Sequence, residues 1–155
     1  MAKLLSGERI GKLGAIRFGC SAVIWDPSRI RILLTRRTDN GQWCLPAGGM
    51  DPGESVTETC EREVWEETGL RVRVLRLIGV YSDPNRLIEY ADGNRCHIVS
   101  LNFEVEVTGG ELQLSDETTA FGFYSPDEMK RLDIMAHHWE RILDALAGQP
   151  QPFIR

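Results

Sequence analysis

Three glutamates near the middle of the chain have types and spacing that could do chemistry. On a helix, with about 100° of turn per residue, Glu63, Glu66 and Glu67 project from one strip of surface. Glu63 and Glu67 stand four residues apart, and like charges at that spacing destabilise a helix. Raised pKa values, paired arginines or bound cations could offset this repulsion. Arg62 is the only base nearby in the sequence, and one guanidinium cannot neutralise three carboxylates.

Two interpretations of this acidic cluster remain open from the residues alone. Oxygen ligands of high charge suit hard cations such as Mg²⁺ or Mn²⁺, so the cluster could hold a divalent metal. A solvated acidic helix face is the alternative. The preceding residues, 45–54, contain three glycines and two prolines. Such a loop lets backbone carbonyls approach a metal closely, although it could also be a long turn into the helix.

A helix over residues 55–68 must position these carboxylates. Ser55 is placed to be its N-cap with Glu58 at the capping-box position, and Gly69 stands where a left-handed C-terminal residue is favoured. Its buried stripe is predicted from residues four apart: Val56, Cys60 and Val64. Glu67 lies close to the line of this stripe, so we expect it to differ from an ordinary solvent-facing acid.

The remaining pattern predicts a mixed β-sheet covered by helices, of the α/β or α+β class, in a single domain over residues 1–155. Residues 15–25 and 29–37 are predicted to be two strands joined by a tight turn. Further strands are predicted at 70–81, 96–107 and 120–124, with a turn at 108–110, and residues 43–45 are a short apolar segment before Pro46. Ser125 and Pro126 favour a helix start, and a final helix is predicted over 133–147.

Residues 48–70 resemble the Nudix box, G-x5-E-x7-R-E-U-x-E-E-x-G-U, in which U is a bulky aliphatic residue. Every specified position is filled, by Gly48, Glu54, Arg62, Glu63, Val64, Glu66, Glu67, Gly69 and Leu70. The resemblance implies a Nudix-type α/β/α sandwich with a mixed sheet. It also implies hydrolysis of a nucleoside diphosphate linked to another moiety, with cleavage inside the pyrophosphate and with Mg²⁺ or Mn²⁺ as cofactor.

Carried over by position, the family's metal site falls on the three glutamates. The resemblance implies that Glu63 and Glu67 are metal ligands and that Glu66 is a ligand or a water-activating base. A carbonyl of Ala47 or Gly48 would complete a metal shell. Because the three glutamates interact strongly, they must titrate as a coupled set.

Other residues of the predicted site have supporting roles. The resemblance implies that Arg62 orients the glutamates through charge-assisted hydrogen bonds and that Glu54 supports the loop–helix junction. Plain structural bracing is the alternative for both. Outside the box, Glu117 follows Asp116 in a late loop where many Nudix proteins carry an acid that joins the metals or acts as base. The alternative for Glu117 is an exposed turn residue.

Substrate identity is the least determined point. Pro84 lies 14 residues after Leu70, close to a proline of the ADP-ribose hydrolases, but the residues around it depart from that subgroup's pattern. ADP-ribose or a nucleotide sugar is therefore slightly favoured. Nucleoside triphosphate pyrophosphohydrolysis and a non-catalytic nucleotide sensor are the alternatives. Side chains considered for base, ribose or phosphate contacts are Tyr81, Tyr90, Arg36, Arg37, Arg86 and Arg95.

Composition excludes several other classes of partner. The chain has 155 residues, 42% of them hydrophobic and 26% charged, with a net charge of −5. This balance argues against a nucleic-acid polymer or an anionic membrane as partner. Neither a secretory signal nor a transmembrane run is recognisable, and four scattered cysteines lack zinc-site spacing, so we expect a cytoplasmic protein. A homodimer is left open. Packing or surface roles are expected for His97, His137 and His138.

The acidity is concentrated in the box. Residues 48–70 contain seven acids and one arginine, and the rest of the chain carries one net positive charge. We therefore expect a nearly neutral body with one acidic segment.

Overall fold

A computed structural model describes residues 2–155 of the chain; Met1, the first residue of the predicted domain, lies outside the described residues. Within that range the helices are α1 (Val56–Thr68), α2 (Pro126–Met129) and α3 (Ala136–Ala147), with a short 3-10 helix at Ile10–Leu13. The strands are β1 (Lys3–Ser6), β2 (Ala15–Ile24), β3 (Ile32–Arg37), β4 (Trp43–Cys44), β5 (Ala47–Gly49), β6 (Leu70–Tyr81), β7 (Arg86–Glu89), β8 (Arg95–Gly110), β9 (Thr118–Tyr124) and β10 (Phe153–Ile154).

The long strand β8 organises the larger sheet. It runs parallel to β2 from the Ala15–Cys96 pair to the Ile24–Val105 pair, and antiparallel to β6 and β7. β5 extends the sheet beyond β2, β1 pairs with β7, and β10 pairs with β6. A smaller sheet has the order β4-β3-β9. The predicted combination of helices with a mixed sheet is confirmed.

The two strands predicted at 15–25 and 29–37 are present and joined by a turn, but they do not pair with each other along their length. β2 pairs with β8 and β5, whereas β3 pairs with β4 and β9 in the other sheet. A single bridge, Trp25 to Ile32, connects them near the turn. The turn itself is longer than predicted, because Asp26 accepts hydrogen bonds from the backbone of residues 30 and 31 and Arg29 adopts a left-handed φ of 57°. The chain therefore changes sheet at this turn.

Side chains of β2 point alternately to the two faces of the larger sheet, and each face packs against a different helix. Cys20 and Ala22 pack in the core cluster that contains Cys60 and Val64 of α1. Val23 packs in a second cluster with Ile142 of α3. Since neighbouring side chains on a strand point to opposite faces, α1 and α3 cover opposite faces of the sheet.

Helix α1 has the predicted ends. Ser55 and Glu58 form a complete capping box, and Gly69, with φ of 73°, donates its N–H to the carbonyl of Trp65. At other elements the boundaries differ from the predictions. β8 continues to Gly110, through the predicted turn, because it pairs with Leu70 and Arg71 at the start of β6. α3 begins at Ala136, three residues later than predicted. Among residues 2–155, none of the helices is long and apolar enough to cross a membrane.

Candidate active site

The glycine-rich loop lies directly against α1. β5 pairs with β2 through Gly49–Gly19, Gly48–Cys20 and Ala47–Ser21. The backbone N–H of Ala47 donates to Oε2 of Glu67 at 3.2 Å. A side-chain carbon on Gly48 would stand 1.9 Å from the carboxyl carbon of Glu63, so only glycine fits there without displacing Glu63. The loop and the glutamates of α1 thus form one unit.

Arg62 binds the carboxylates along one side of this unit. It donates twice to Glu54, at 2.5 and 2.9 Å, and through Nη1 to Glu63 at 2.8 Å and Glu66 at 3.1 Å. Its Nη2 also donates to the carbonyl of Gly49 at 2.9 Å. These bonds hold the pKa of Glu54 down at about 2, and the same carboxylates raise the pKa of Arg62. Arg62 therefore joins the loop to the helix and stays charged.

An acidic pocket of about 210 Å³ opens beside α1. Its lining consists of Glu63, Glu66, Glu67, Ser115, Asp116 and Glu117, and we call this set the acidic pocket. Glu67 is buried, with 7% of its surface exposed, as its place near the apolar stripe predicted. Burial, with the nearby charges of Glu63 and Glu117, raises the pKa of Glu67 to about 8. Burial also raises the pKa of Glu63, against the opposing effect of Arg62.

The acidic pocket has the donor chemistry of a site for a hard divalent ion. Its lining offers five carboxylates and a hydroxyl, all oxygen ligands. Within residues 2–155, no three acidic, histidine or cysteine side chains converge closely enough to form a preformed cluster. Glu63 and Glu66 accept from Arg62 and Glu67 accepts from Ala47, so their carboxylates surround the pocket instead of meeting at one point. The residues fit the metal implied by the sequence, with side-chain adjustment on binding.

A second cavity, of about 360 Å³, lies beside the same loop. We call it the cationic cleft, because four arginines and only two acids line it. They are Arg17, Arg86, Arg141 and Arg155 against Asp83 and Glu140. It lies on the α3 face of the sheet, the face to which Gly19 and Ser21 of β2 point. Gly48 lines the cleft while its α-carbon abuts Glu63 of the acidic pocket, so the loop separates the two cavities.

Each end of the cleft has an arginine beside a tyrosine ring. At one end, Arg17 donates to the hydroxyl of Tyr90 at 3.4 Å, and its guanidinium lies 5.7 Å from the centre of that ring. At the other end, the guanidinium of Arg141 lies 5.4 Å from the centre of the Tyr81 ring. Pro84 also lines the cleft. An aromatic ring beside a cation suits a nucleobase, and the arginines suit phosphate.

The structure separates the arginines considered from sequence. Arg86 lines the cationic cleft. Arg37 pairs with Asp39, Arg95 pairs with Glu89, and Arg36 donates to the carbonyl of Gly41, all outside the cleft. Sequence reasoning missed Arg17 and Arg141. Alternation along β2 puts Arg17 on the same face as Ser21, but no local pattern marks Arg141.

The three histidines were expected to pack or to lie at the surface. His138 is buried, and its Nδ1 accepts the backbone N–H of Leu45 at 3.2 Å, which is a packing role. His97 is partly buried, and its Nε2 lies 3.3 Å from the carbonyl oxygen of Ser82. His137 lines the cationic cleft, which the sequence did not predict.

Comparison with known proteins gives a consistent picture. The family model described as NUDIX domain matches residues 16–145. A MutT-like protein of Streptomyces ambofaciens is 41% identical over 76% of this chain and 70% of its own length. An ADP-ribose pyrophosphatase of Methanocaldococcus jannaschii is 38% identical over 66% of this chain and 59% of its own length. The nucleoside triphosphatase NudI of Escherichia coli is 29% identical over 61% of this chain and 69% of its own length.

A solved structure has the same fold over most of the chain. The crystal structure of an ADP-ribose pyrophosphatase from Streptococcus suis superimposes with a TM-score of 0.67 at 26% sequence identity. The superposition covers 90% of this chain and 98% of that one. The arrangement of sheets and helices described above is therefore shared with a protein of known structure.

Proposed function

The chain belongs to the Nudix family, and we propose that it hydrolyses the pyrophosphate bond of a nucleoside diphosphate linked to another moiety. The observation that carries this proposal is that the acidic pocket and the cationic cleft lie on the two sides of the same loop, next to Gly48. A nucleotide can lie in the cleft while its diphosphate reaches the carboxylates. Because both partners are anionic there, cations must stand between them. A small nucleotide derivative suits this geometry better than a nucleic-acid polymer does.

Nudix hydrolases generally need a divalent metal ion, and we propose Mg²⁺ or Mn²⁺ for this chain. Glu63 and Glu67 are the proposed ligands, Glu66 is either a further ligand or the base that activates the water, and a carbonyl of Ala47 or Gly48 completes the shell. The buried, raised-pKa carboxyl of Glu67 supports this assignment, since a cation would favour its charged form. When bound, the metal supplies charge neutralisation of phosphate oxygens and a lower pKa for the attacking water.

The chain's own residues position the reaction. Arg62 fixes the carboxylates of Glu63 and Glu66 by charge-assisted bonds, and Glu54 holds Arg62 by two bonds. In the proposed reaction water attacks a phosphorus, the P–O–P bond breaks, and the proton of the water passes to a carboxylate. Glu66 and Glu117 are the two candidates for that base, because both line the acidic pocket and are more exposed than Glu67.

ADP-ribose or a nucleotide sugar is the proposed substrate class. Two of the compared proteins are named ADP-ribose pyrophosphatases, and Pro84, noted in the sequence, lines the cleft. At the Arg17 end of the cleft, Tyr90 offers an aromatic ring to a base. A specific observation favours the second candidate, a nucleoside triphosphate, because the relative NudI is named a nucleoside triphosphatase.

A substrate screen with identified products tests the proposal. ADP-ribose, nucleotide sugars, dinucleoside polyphosphates and nucleoside triphosphates would be compared by kcat/KM with Mg²⁺ and with Mn²⁺. We expect metal-dependent release of a nucleoside monophosphate from ADP-ribose or a nucleotide sugar. A preference of about tenfold or more for triphosphates, a difference of roughly 1.4 kcal/mol, would transfer the assignment to the second candidate. Tight binding without any product would indicate a nucleotide sensor.

A further inference from the structure

Arg141 of α3 is a buried cation without an acidic partner. It is 6% exposed, yet it lines the cationic cleft. Within residues 2–155 no carboxylate oxygen lies within 4.0 Å of its guanidinium. Its Nη1 donates to Oγ of Ser21 at 3.3 Å, and its Nε is buried with no hydrogen-bond partner among the described residues. Burying a charge in this way is unfavourable unless something compensates it.

Two other arginines of the cationic cleft, Arg86 and Arg155, already form ion pairs with acidic side chains. Arg86 pairs with Asp83 at 3.1 Å and with Glu140 at 3.2 Å. Arg155 pairs with Asp144 at 2.8 Å. Burial lowers the pKa of Arg141 to about 10, so its guanidinium still carries a charge at neutral pH. Arg141 is therefore the buried charge in this part of the cleft that no described carboxylate balances; its guanidinium contacts only the Tyr81 ring and the hydroxyl of Ser21.

A second unpartnered nitrogen lies one helical turn away. Nδ1 of His137, four residues before Arg141, is buried and has no hydrogen-bond partner among residues 2–155. Residues four apart lie on the same helix face, and both side chains line the cleft. Burial, together with the charges of Arg141 and Arg86, lowers the pKa of His137 to about 3, which keeps the ring neutral. A neutral ring can offer a hydrogen bond without adding a second buried charge.

Strand register orients the cleft. Arg17 of β2 is level with Ile98 of β8, and Ser21 is level with Asn102. These two levels are about 13 Å apart along the strands. The first level holds the end of the cleft with Arg17 and Tyr90, and the second holds the end with Arg141 and Tyr81. Ser21, which Arg141 contacts, pairs with Ala47, the loop residue whose N–H binds Glu67. The Arg141 end therefore adjoins the acidic pocket.

We propose that Arg141 is a substrate-binding residue that holds the phosphate of the nucleoside monophosphate half of the substrate. The base of that half would lie at the Tyr90 end, and its phosphate would accept charge-assisted hydrogen bonds from the guanidinium. The identity of the ligand rests on the proposed function, whereas the need for an anion rests on the unbalanced charge of Arg141. His137, which lines the cleft one helical turn before Arg141, would flank the same phosphate.

Binding of AMP and of adenosine, measured by calorimetry with EDTA present, tests this contact without metal or turnover. We expect the wild-type chain to prefer AMP to adenosine. Arg141→Met should weaken AMP binding about tenfold or more and leave adenosine binding within about twofold, since it removes a charged hydrogen bond. Arg141→Lys keeps the charge but not the planar fork and should give an intermediate loss. Arg131→Met, at an exposed arginine outside the cleft, controls for the change in net charge.

Thermal unfolding separates a binding role from a structural one. Ser21 still donates to Asn102 at 2.7 Å without Arg141, so Arg141→Met leaves this hydroxyl with a partner. Because it removes an unbalanced buried charge, the variant should have a Tm equal to or above that of the wild type. A lower Tm with an unchanged AMP-to-adenosine ratio would show that Arg141 is structural. Wild-type affinities for AMP and adenosine within about threefold of each other would also overturn the proposal.

The hydrolase assignment and the Arg141–phosphate contact can be contradicted independently of each other. If the wild-type chain binds AMP through Arg141 but the substrate screen yields no product, the hydrolase assignment is wrong and the phosphate contact remains. If hydrolysis occurs and Arg141→Met changes neither AMP binding nor KM, the contact is wrong and the hydrolase assignment remains.

Discussion

Glu63 and Glu67 occupy one pocket but have their charges balanced differently. Arg62 donates to Glu63, whereas Glu67 receives one backbone N–H, from Ala47, and is the more buried of the two. A folded-state pKa near 8 for a group that titrates near 4.5 when exposed means that the fold favours protonated Glu67. Its contribution to stability is complete below about pH 4.5 and is lost as the pH rises to about 8.

Glu67→Gln should separate stability from activity. In the metal-free protein near pH 8, we expect the variant to unfold at a Tm roughly 3 °C or more above the wild type, because no buried carboxylate has to ionise. Near pH 5 the two proteins should be nearly equal. With metal, kcat should fall at least about a hundredfold, since loss of a ligand exceeds the usual effect of an outer-shell change. Scanning calorimetry and steady-state kinetics give the two measurements.

A matched control for that variant is Glu111→Gln, at an exposed glutamate outside both cavities. It should change neither Tm nor kcat. Full activity of Glu67→Gln would contradict the assignment of Glu67 as a metal ligand.

Gly48→Ala should reduce activity while the chain still folds. The added carbon would meet the carboxylate of Glu63 at 1.9 Å, and the end of that flexible side chain can move away. A catalytic group displaced by about 1 Å can reduce the rate about a hundredfold. We expect a loss of that order in kcat/KM with a circular-dichroism spectrum like that of the wild type. Gly109→Ala is the control, because no atom lies within 4 Å of a side-chain carbon added at Gly109. Equal activity of the two variants would contradict the close contact between Gly48 and Glu63.

At the scale of elements, α1 carries the carboxylates and its two ends determine where they stand. The capping box at Ser55 fixes the first turn, next to Glu54, which accepts from the hydroxyl of Thr59 at 2.9 Å. At the other end Gly69 adopts a φ of 73°, which lets the chain enter β6 without a break. The helix is thus held between the loop and the sheet, and the site depends on both junctions.

Ser55→Ala should lower the free energy of unfolding by about 1 kcal/mol, since it removes an N-cap. For a chain of this length that corresponds to a Tm lower by about 2–4 °C. Ser125→Ala removes the equivalent cap of α2, which lies far from the box in sequence and lines neither cavity. Both variants should lose similar stability by thermal unfolding. Amide hydrogen exchange in α1 should increase in Ser55→Ala but not in Ser125→Ala. Increased exchange in α1 in both variants would contradict separate roles for the two caps.

At the scale of the whole molecule, the two cavities differ in the charge of the side chains that line them. The net charge of −5 arises from an acidic segment at residues 48–70 and a nearly neutral remainder. Five carboxylates of the acidic pocket lie on one side of the loop, and the four arginines of the cationic cleft lie on the other. With a metal bound, an anionic substrate would meet that metal on one side of the loop and Arg141, which has no acidic partner among residues 2–155, on the other.

Metal binding should stabilise the fold in a pH-dependent way. Mg²⁺ or Mn²⁺ in about hundredfold excess over its Kd should add about 2.7 kcal/mol to the free energy of unfolding. The gain should be largest near pH 8 and shrink toward pH 5, because protonated carboxylates do not bind the ion. Thermal shifts at matched ionic strength, with Na⁺ as control, measure it. Equal gains at both pH values, or in Glu67→Gln, would contradict this site.

How far the sequence predicted this molecule depends on how local each feature is. The capping box of α1 and the glycine after it involve residues within a few positions of one another, so residue preferences alone predicted them. The change of sheet between β2 and β3 was not predicted, because strand pairing is chosen among segments far apart in the chain. A tight turn between two apolar strands favours a hairpin only when no better partner, here β8, is available.

The sequence by itself determined the family, the acidic helix and the proposed metal ligands, since one contiguous segment carries all of them. Only the tertiary structure decided that Gly48 lies between two cavities and that Arg17 and Arg141 line opposite ends of one cationic cleft. Arg17 and Arg141 are 124 positions apart, on a strand and a helix that meet through the packed sheet. Whether an arginine finds an acid partner depends on such packing, and no local pattern records it.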